Sequence, residues 1–297
     1  MLYIDRATGR LEVEQVYGEA ALRLLYGPGP ASWLLPAVSR LPWLSWACGR
    51  WQDTRWSARR IRPFIERFGL DASEFLKPVE DFRSFNEFFY RKLKPEARPI
   101  TPGDEAAVMP ADARCLFFPN LGLADGFFVK GRRFDLAALL DDAALARRYA
   151  DGGMVLARLC PVDYHRFHFP CGGVPGPARL INGWLYSVNP IALARNVDIL
   201  VQNKRSVCEL DSPRFGRLLL IEIGATNVGG IRQTYVPGRP CAKGEEKGYF
   251  AFGASALILL FERGRIRFDS DLLEASRGGR EILCRMGQSL GRAPASG

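Results

Sequence analysis

From residue 154 onward the chain builds short, mostly apolar runs and stops each one with glycine, proline or charge: Met154–Leu159, Val197–Val201, Leu218–Ile223 and Ala256–Phe261. Runs of this length are strand-sized, and their near-continuity suits strands covered on both faces. They predict a mainly β body. After the last run comes Glu262-Arg263-Gly264-Arg265 and then Ile266-Arg267-Phe268, a pattern that predicts a hairpin.

Earlier residues follow another period. Between about 18 and 94 the sequence reads as helical with breaks at prolines, and Ile61, Phe64, Ile65 and Phe68 recur at helical spacing while Arg59, Arg60, Arg62, Glu66 and Arg67 occupy the intervening surface. Pro95, Pro99, Pro102 and Gly103 mark a connector. The expectation is an α+β chain: a mainly helical region over residues 1–100 and a mainly β domain over residues 101–297. Within the latter, Phe134 to Arg148 predicts a short surface helix with Asp135 at its N-cap.

The helical region carries Trp33, Trp43, Trp46, Trp51 and Trp56 interleaved with Arg40, Arg50, Arg55 and Arg59. Indoles favour the lipid headgroup layer and guanidinium groups meet phosphate, so the segment fits an anionic membrane surface. The same aromatics also suit packing against a larger core. A formal charge of +9 favours an acidic partner without choosing between lipid and nucleic acid. No nucleic-acid recognition fold or zinc pattern is readable, so nucleic acid is not an expected partner. Leu24 to Ser39 is uncharged but short and interrupted by Pro28, Pro30 and Pro36, so it does not predict a spanning helix. No cationic-then-apolar export signal is readable in MLYIDRATGRLEVEQ, so peripheral attachment at the cytoplasmic face of the cell membrane is the expectation.

Seven cysteines are widely scattered, an odd total without zinc-knuckle spacing, and are read as buried small residues. Two histidines are too few for a multi-histidine metal site, and no metal is expected.

Both histidines lie in Asp163-Tyr164-His165-Arg166-Phe167-His168. On one strand His165 and His168 would face opposite ways, whereas an irregular backbone presents both to a cleft. Either imidazole suits proton transfer near neutrality, and either also suits a packing role. Asp112, in Met109-Pro110-Ala111-Asp112-Ala113, reads as a turn residue or as a carboxylate orienting a histidine. Ser255, in Phe252-Gly253-Ala254-Ser255-Ala256, reads as a strand-edge serine or as a hydroxyl held for chemistry; the block is not the nucleophile elbow of an esterase.

Blocks along nearly the whole chain then resemble one family. They include Ser84-Phe85-Asn86-Glu87-Phe88-Phe89, Lys92-Leu93-Lys94-Pro95-Glu96-Ala97-Arg98-Pro99-Ile100, Tyr164-His165-Arg166-Phe167-His168, Gly224-Ala225-Thr226-Asn227-Val228-Gly229, Lys243-Gly244-Glu245-Glu246-Lys247-Gly248-Tyr249-Phe250 and Phe252-Gly253-Ala254-Ser255. In this order they resemble the phosphatidylserine decarboxylases. Any one block is weakly specific; the ordered set is highly specific.

The resemblance implies a mainly β catalytic core behind membrane-associated helices, homodimerisation, and phosphatidylserine as substrate. It also implies that Asp112, His168 and Ser255 carry out self-processing, while His165 serves decarboxylation. Ser255 would attack the carbonyl of Ala254 to form an ester, and elimination would leave a dehydroalanine that hydrolyses to a covalent pyruvoyl group with loss of ammonia. The products would be a β chain of residues 1–254 and an α chain of residues 255–297, with no pyridoxal phosphate required. Around the scissile bond the family commonly has Gly-Ser-Thr, whereas this chain has Ala254-Ser255-Ala256. A methyl group at 254 narrows the backbone's freedom on the way into the cleavage geometry, while Asp112, both histidines and Ser255 are all retained, so an active enzyme is expected. Asp112 is likewise followed by Ala113 where the family usually has glycine.

Overall fold

The computed structural model describes residues 2–14, 24, 26, 47, 49–123, 135–196, 198–225, 230–251 and 255–294. Its frame is a ten-stranded sheet. From one edge the order is β2 (Leu11–Val13), β1 (Leu2–Asp5), β15 (Glu281–Cys284), β4 (Ala113–Phe118), β5 (Gly153–Leu159), β13 (Ser255–Phe261), β10 (Gly216–Gly224), β9 (Arg205–Ser212) and β7 (Val174–Pro175), with β8 (Arg179–Ile181) also paired to β9. Only the β1–β15 pairing is parallel among these strands.

The central apolar runs are continuous because both faces are covered. Leu257, Leu259 and Phe261 of β13 join one buried cluster together with Val155, Ala157 and Leu159 of β5. The alternate residues Ala256, Ile258 and Leu260 join a second with Met154 and Leu156. Two small sheets and the Ser270–Arg277 helix cover the first face: Phe167, Phe169, Phe250, Leu272 and Leu290 all belong to that cluster. One small sheet is β11 (Ile231–Gln233), β12 (Glu246–Phe250) and β6 (Arg166–His168); the other is β14 (Arg267–Phe268), β16 (Ser289–Arg292) and β3 (Ala106–Val108). On the second face lie Leu139, Leu140, Tyr149, Leu193 and Leu200 from short helices. Fully burying one such aliphatic side chain contributes roughly 1.5–3 kcal/mol, which is why a run like β13, buried at every residue, is held firmly.

The mainly β core and the α+β class are therefore as the sequence suggests. Three local expectations differ. The Val197–Val201 run is not a strand: Ile199–Gln202 is a helical turn, Val197 lies outside the described residues, and the strand begins only at Arg205. Residues 262–265 do turn, with Gly264 at φ 72°, but β14 pairs with β16 rather than folding back on β13. The Phe134–Arg148 segment forms two helices, Leu136–Leu140 and Ala143–Tyr149. Asp135 caps the first as expected, but Asp141 adopts a left-handed φ of 49° and Asp142 starts a new cap, so the chain turns a corner there. Phe134 itself lies outside the described residues.

Before residue 100, Leu2–Asp5 and Leu11–Val13 add to the large sheet, and the Ile61–Phe68 helix buries Ile61 and Phe64 as its periodicity requires. Phe64, Phe75, Phe82, Phe85, Phe88 and Phe89 form an aromatic cluster of their own. Trp51 and Trp56 remain exposed, with Arg60 and Arg59 over their rings. Trp33, Trp43, Trp46 and Arg40 lie outside the described residues. No helix among the described residues is long and apolar enough to cross a membrane. All six described cysteines are buried and unpaired by disulfides; Cys48 lies outside them.

Candidate active site

One end of the large sheet gathers the chemistry-bearing segments. There β4 begins just after Asp112, β5 ends at Leu159 shortly before the two histidines, and β13 begins at Ser255. Strand pairing sets Ser255 against Leu159 on one side and Gly224 on the other. Its side chain shares the sheet face of Leu257 and Leu259, the face covered by the histidine-bearing small sheet. Ser255 Oγ is buried and has no hydrogen-bond partner among the described residues. A buried hydroxyl in that condition costs stability unless something else uses it, and so is a candidate reactive group. Ala254, the other expected cleavage residue, lies outside the described residues.

Phe250, at the end of β12, is five residues before Ser255 in the large sheet. The segment between them therefore passes from one sheet to the other. Its near end is held by Phe250 N–H donating to the His165 carbonyl at 2.9 Å and Ala251 N–H donating to Gly230 at 3.0 Å.

His165 precedes β6 and His168 ends it, so the irregular turn before the strand separates their roles. His165 is fully buried, with its ring 3.8 Å from that of Phe89, centroid to centroid. Its Nδ1 lies 2.9 Å from the Asp163 carbonyl. Because a carbonyl only accepts, that nitrogen carries the proton and Nε2 is the basic end. Asp163 is itself fixed: its carboxylate pairs with Arg114 at 2.8 Å and accepts from Cys160 N–H at 2.6 Å. Burial nonetheless pushes the Asp163 carboxyl up from its ordinary value.

His168 Nδ1 lies 2.9 Å from the Gly244 carbonyl, which again assigns the proton to Nδ1. Its Nε2 accepts from Tyr164 Oη at 3.1 Å, and burial keeps that phenol protonated by raising its pKa. Burial also pushes the His168 imidazole below its ordinary value, so its neutral form persists. Gly244 sits at φ 78°, and a Cβ there would come within 2.7 Å of Ile100, so glycine suits this carbonyl's position.

Asp112 is engaged elsewhere. Arg98 donates to both its oxygens, and Met286 N–H donates to Oδ1 at 2.8 Å. Arg98 Nη1 also reaches Glu74 at 3.1 Å. Asp112 shares no hydrogen bond with His168; the two segments meet through His168 N–H donating to the Pro110 carbonyl at 2.8 Å. Burial is the main influence lowering the His168 pKa, while the Gly244 carbonyl and the Glu246 and Asp112 charges act the other way. No cluster of three or more metal-ligating side chains occurs among the described residues.

A family model described as phosphatidylserine decarboxylase matches residues 85–292, which include Asp112, both histidines and Ser255. The chain belongs to the phosphatidylserine decarboxylase family. Curated relatives agree over almost the full length. The phosphatidylserine decarboxylase proenzyme of Chlamydia pneumoniae is 48% identical over 98% of this chain and 97% of its own. Those of Chlamydia muridarum and Chlamydia trachomatis serovar L2 are 48% and 42% identical at the same coverage. Membership carries the family's reaction, decarboxylation of phosphatidylserine to phosphatidylethanolamine in a chain that processes itself.

Around the candidate residues, three neighbours escaped the residue-level sequence reading: Arg98, Tyr164 and Gly244. Each lay inside a block that carries the family resemblance. What the blocks did not reveal was which side chain or carbonyl each one touches.

Proposed function

We propose that Ser255 is the hydroxyl from which the chain makes its own pyruvoyl group, and that Asp112, His165 and His168 serve the two stages of its chemistry. The observation carrying this is the buried Ser255 Oγ without a partner among the described residues, at the first residue of β13. It fits a group consumed in processing better than a structural serine, which would be hydrogen-bonded at that depth.

In processing, Ser255 Oγ attacks the carbonyl carbon of residue 254 and must lose its proton. The acceptor is the Tyr164–His168 pair: the Tyr164 hydroxyl, already donating to Nε2, passes its proton to the neutral imidazole as it takes the one from Ser255. Gly244, bonded to Nδ1, keeps the ring oriented. Collapse of the adduct breaks the C–N bond between residues 254 and 255 and frees the Ser255 amine, leaving an ester; loss of the Ser255 α-proton and cleavage of the Cβ–Oγ bond then release the β chain as a carboxylate and leave a dehydroalanine. Water converts that residue to the ketone, with loss of ammonia. Asp112, anchored by Arg98, supplies negative charge that favours the transient His168 cation.

The pyruvoyl carbonyl supplies an electron sink for the pair released with CO2. His165 acts in that stage through Nε2, its tautomer being set by Asp163. Exposed Trp51 and Trp56 beside Arg59 and Arg60 support membrane contact by the region before residue 100, which leaves residues 101–297 as the catalytic domain. The processed unit acts as a homodimer, attached peripherally at the cytoplasmic face of the cell membrane, with neither metal nor pyridoxal phosphate.

Intact mass of freshly purified protein tests the maturation step. Two chains divided between Ala254 and Ser255 are expected, the smaller lacking an ordinary N-terminal amine, and Ser255→Ala should remain whole. Efficient cleavage of Ser255→Ala would overturn the cofactor's origin. CO2 release from phosphatidylserine liposomes, beside free serine and phosphoserine, tests the substrate.

A further inference from the structure

The larger cavity, about 610 Å³ and bordered by Cys171, Asp211, Arg214, Cys241 and Lys243, contains none of Asp112, His165, His168 or Ser255 in its walls. Its charges are of both signs. A smaller cavity of about 200 Å³ is different in character, being lined by Lys77, Glu87, Tyr90, Arg91, Lys92 and Arg166 together with two apolar residues. Four cations thus face one carboxylate.

Two of the four are neutralised. Lys77 pairs with Glu87 at 2.5 Å, and Arg166 makes a two-pronged contact with Glu246 at 2.8 and 2.9 Å. Arg91 and Lys92 have no carboxylate at ion-pair distance among the described residues. Lys92 is exposed at the rim, so water satisfies it. Arg91 is only 5% exposed, and its Nε is buried without a hydrogen-bond partner. Its remaining contacts are the Val162 carbonyl at 3.2 Å, a long one to the Phe88 carbonyl at 3.5 Å, and the faces of Phe75 and Phe88. This buried guanidinium is held by carbonyls and rings, and the Asp112 and Asp163 charges act on it only from beyond ion-pair distance.

The cavity adjoins the reacting segment by two routes. Arg91 holds the Val162 carbonyl shortly before His165, and Arg166, directly after His165, donates Nε to the Tyr90 carbonyl at 2.9 Å. We propose that this pocket, with Arg91 as its principal ligand and Lys92 at its rim, takes the phosphodiester of the substrate headgroup. The inference rests on the reading that this chain acts on phosphatidylserine. That headgroup has two anions. The headgroup amine must reach the Ser255-derived carbonyl, with the carboxylate that leaves as CO2 on the carbon next to that amine, and Ser255 is not in this pocket's wall. The phosphodiester remains, permanently ionised and suited to guanidinium and ammonium donors.

The test uses processed wild-type enzyme, Arg91→Lys and Lys92→Gln, with CO2 release from phosphatidylserine in mixed micelles and competition by glycerol phosphate or free serine. Arg91→Lys should raise KM about 10-fold and Lys92→Gln about 3-fold, each more than it lowers kcat. The inhibition constant of glycerol phosphate should rise in parallel while that of free serine stays put. A purely structural Arg91 would lower the melting temperature without that selective shift. Lys92→Gln, on the exposed rim, carries the test alone should Arg91→Lys fail to fold. Unshifted glycerol phosphate inhibition with normal wild-type turnover would overturn the subsite, as would a shift for serine instead. No wild-type CO2 release from phosphatidylserine would overturn the substrate reading and the subsite with it.

Discussion

Arg98 grips the Asp112 carboxylate through both Nε and Nη2, at 2.9 and 2.6 Å, so the proposed processing aspartate is anchored by a cation and not by His168. Both side chains are about nine-tenths buried. The arrangement fixes the carboxylate charge in space while leaving His168 free to bond Tyr164 and Gly244.

Removing the anchor should be costly. Arg98→Met leaves a buried carboxylate with only the Met286 amide, and loss of one partner from a buried pair costs about 3–5 kcal/mol. Denaturant unfolding of the variant should show that loss, and its self-cleavage should slow. A midpoint equal to wild type would show the pair to be dispensable.

Glu222 and Lys247 form a second buried pair, at 2.7 Å with neither side chain exposed, completed by Gln233, which donates to Glu222 and accepts from Lys247. It ties β10 of the large sheet to β12 of the small one. Glu222→Leu or Lys247→Met alone should destabilise by about 3–5 kcal/mol, whereas the two replacements together should recover most of it. A double-mutant cycle measures the coupling; simple additivity of the two losses would refute it.

These pairs also mark where the sequence became silent. The β body was legible because Leu218–Ile223 and Ala256–Phe261 are covered on both faces, and strand periodicity records that covering. Glu222 sits inside such a run, yet its partner is 25 residues away, and no local pattern announces a contact made by sheet packing. Asp112, His165, His168 and Ser255 could be nominated from family blocks, but not their bonds: Arg98 reaches Asp112 because the connector folds back, and Tyr164 reaches His168 because the turn before β6 is irregular. The Val197–Val201 run misled for another reason. Four or five apolar residues fit a helical turn as well as a strand, and only tertiary packing decides.

Burial pushes the His168 pKa below its ordinary 6.5, and the sign of the pH effect follows. The base form is the neutral one, so self-cleavage should stay constant from neutral pH down through 6.5 and fall with an inflection below it. Stability should follow the same direction: as pH drops below 6.5 the unfolded histidine binds a proton that the folded one does not, so stability declines until the folded pKa is passed. Stopped-time mass spectrometry of newly made chain across pH checks the first; an inflection above 6.5 would exclude His168 as the base.

Tyr164 donates to His168 Nε2, the nitrogen proposed to accept a proton in processing. Tyr164→Phe keeps the ring and removes the relay hydroxyl, so cleavage should slow by about 10–100-fold with little change in unfolding midpoint. Cleavage at the wild-type rate would mean that Ser255 reaches the imidazole directly.

Cleavage at 254/255 should not free the smaller chain. Its strands are threaded between those of the larger one: β13 lies between β5 and β10 with seven paired residues on each side, β15 lies between β1 and β4, and β16 pairs with β3. Side chains cross the same boundary, with Arg158 on Glu281, Arg6 on Asp271 and the Asp112 carboxylate on the Met286 amide. Every residue of β13 is buried, so releasing it would expose an apolar strand and break two ladders at once. Fully cleaved protein is therefore expected to elute as one species in size-exclusion chromatography, with both chains present in equal amounts, and to separate only in denaturant. Release of residues 255–297 under native conditions would contradict the interleaved sheet.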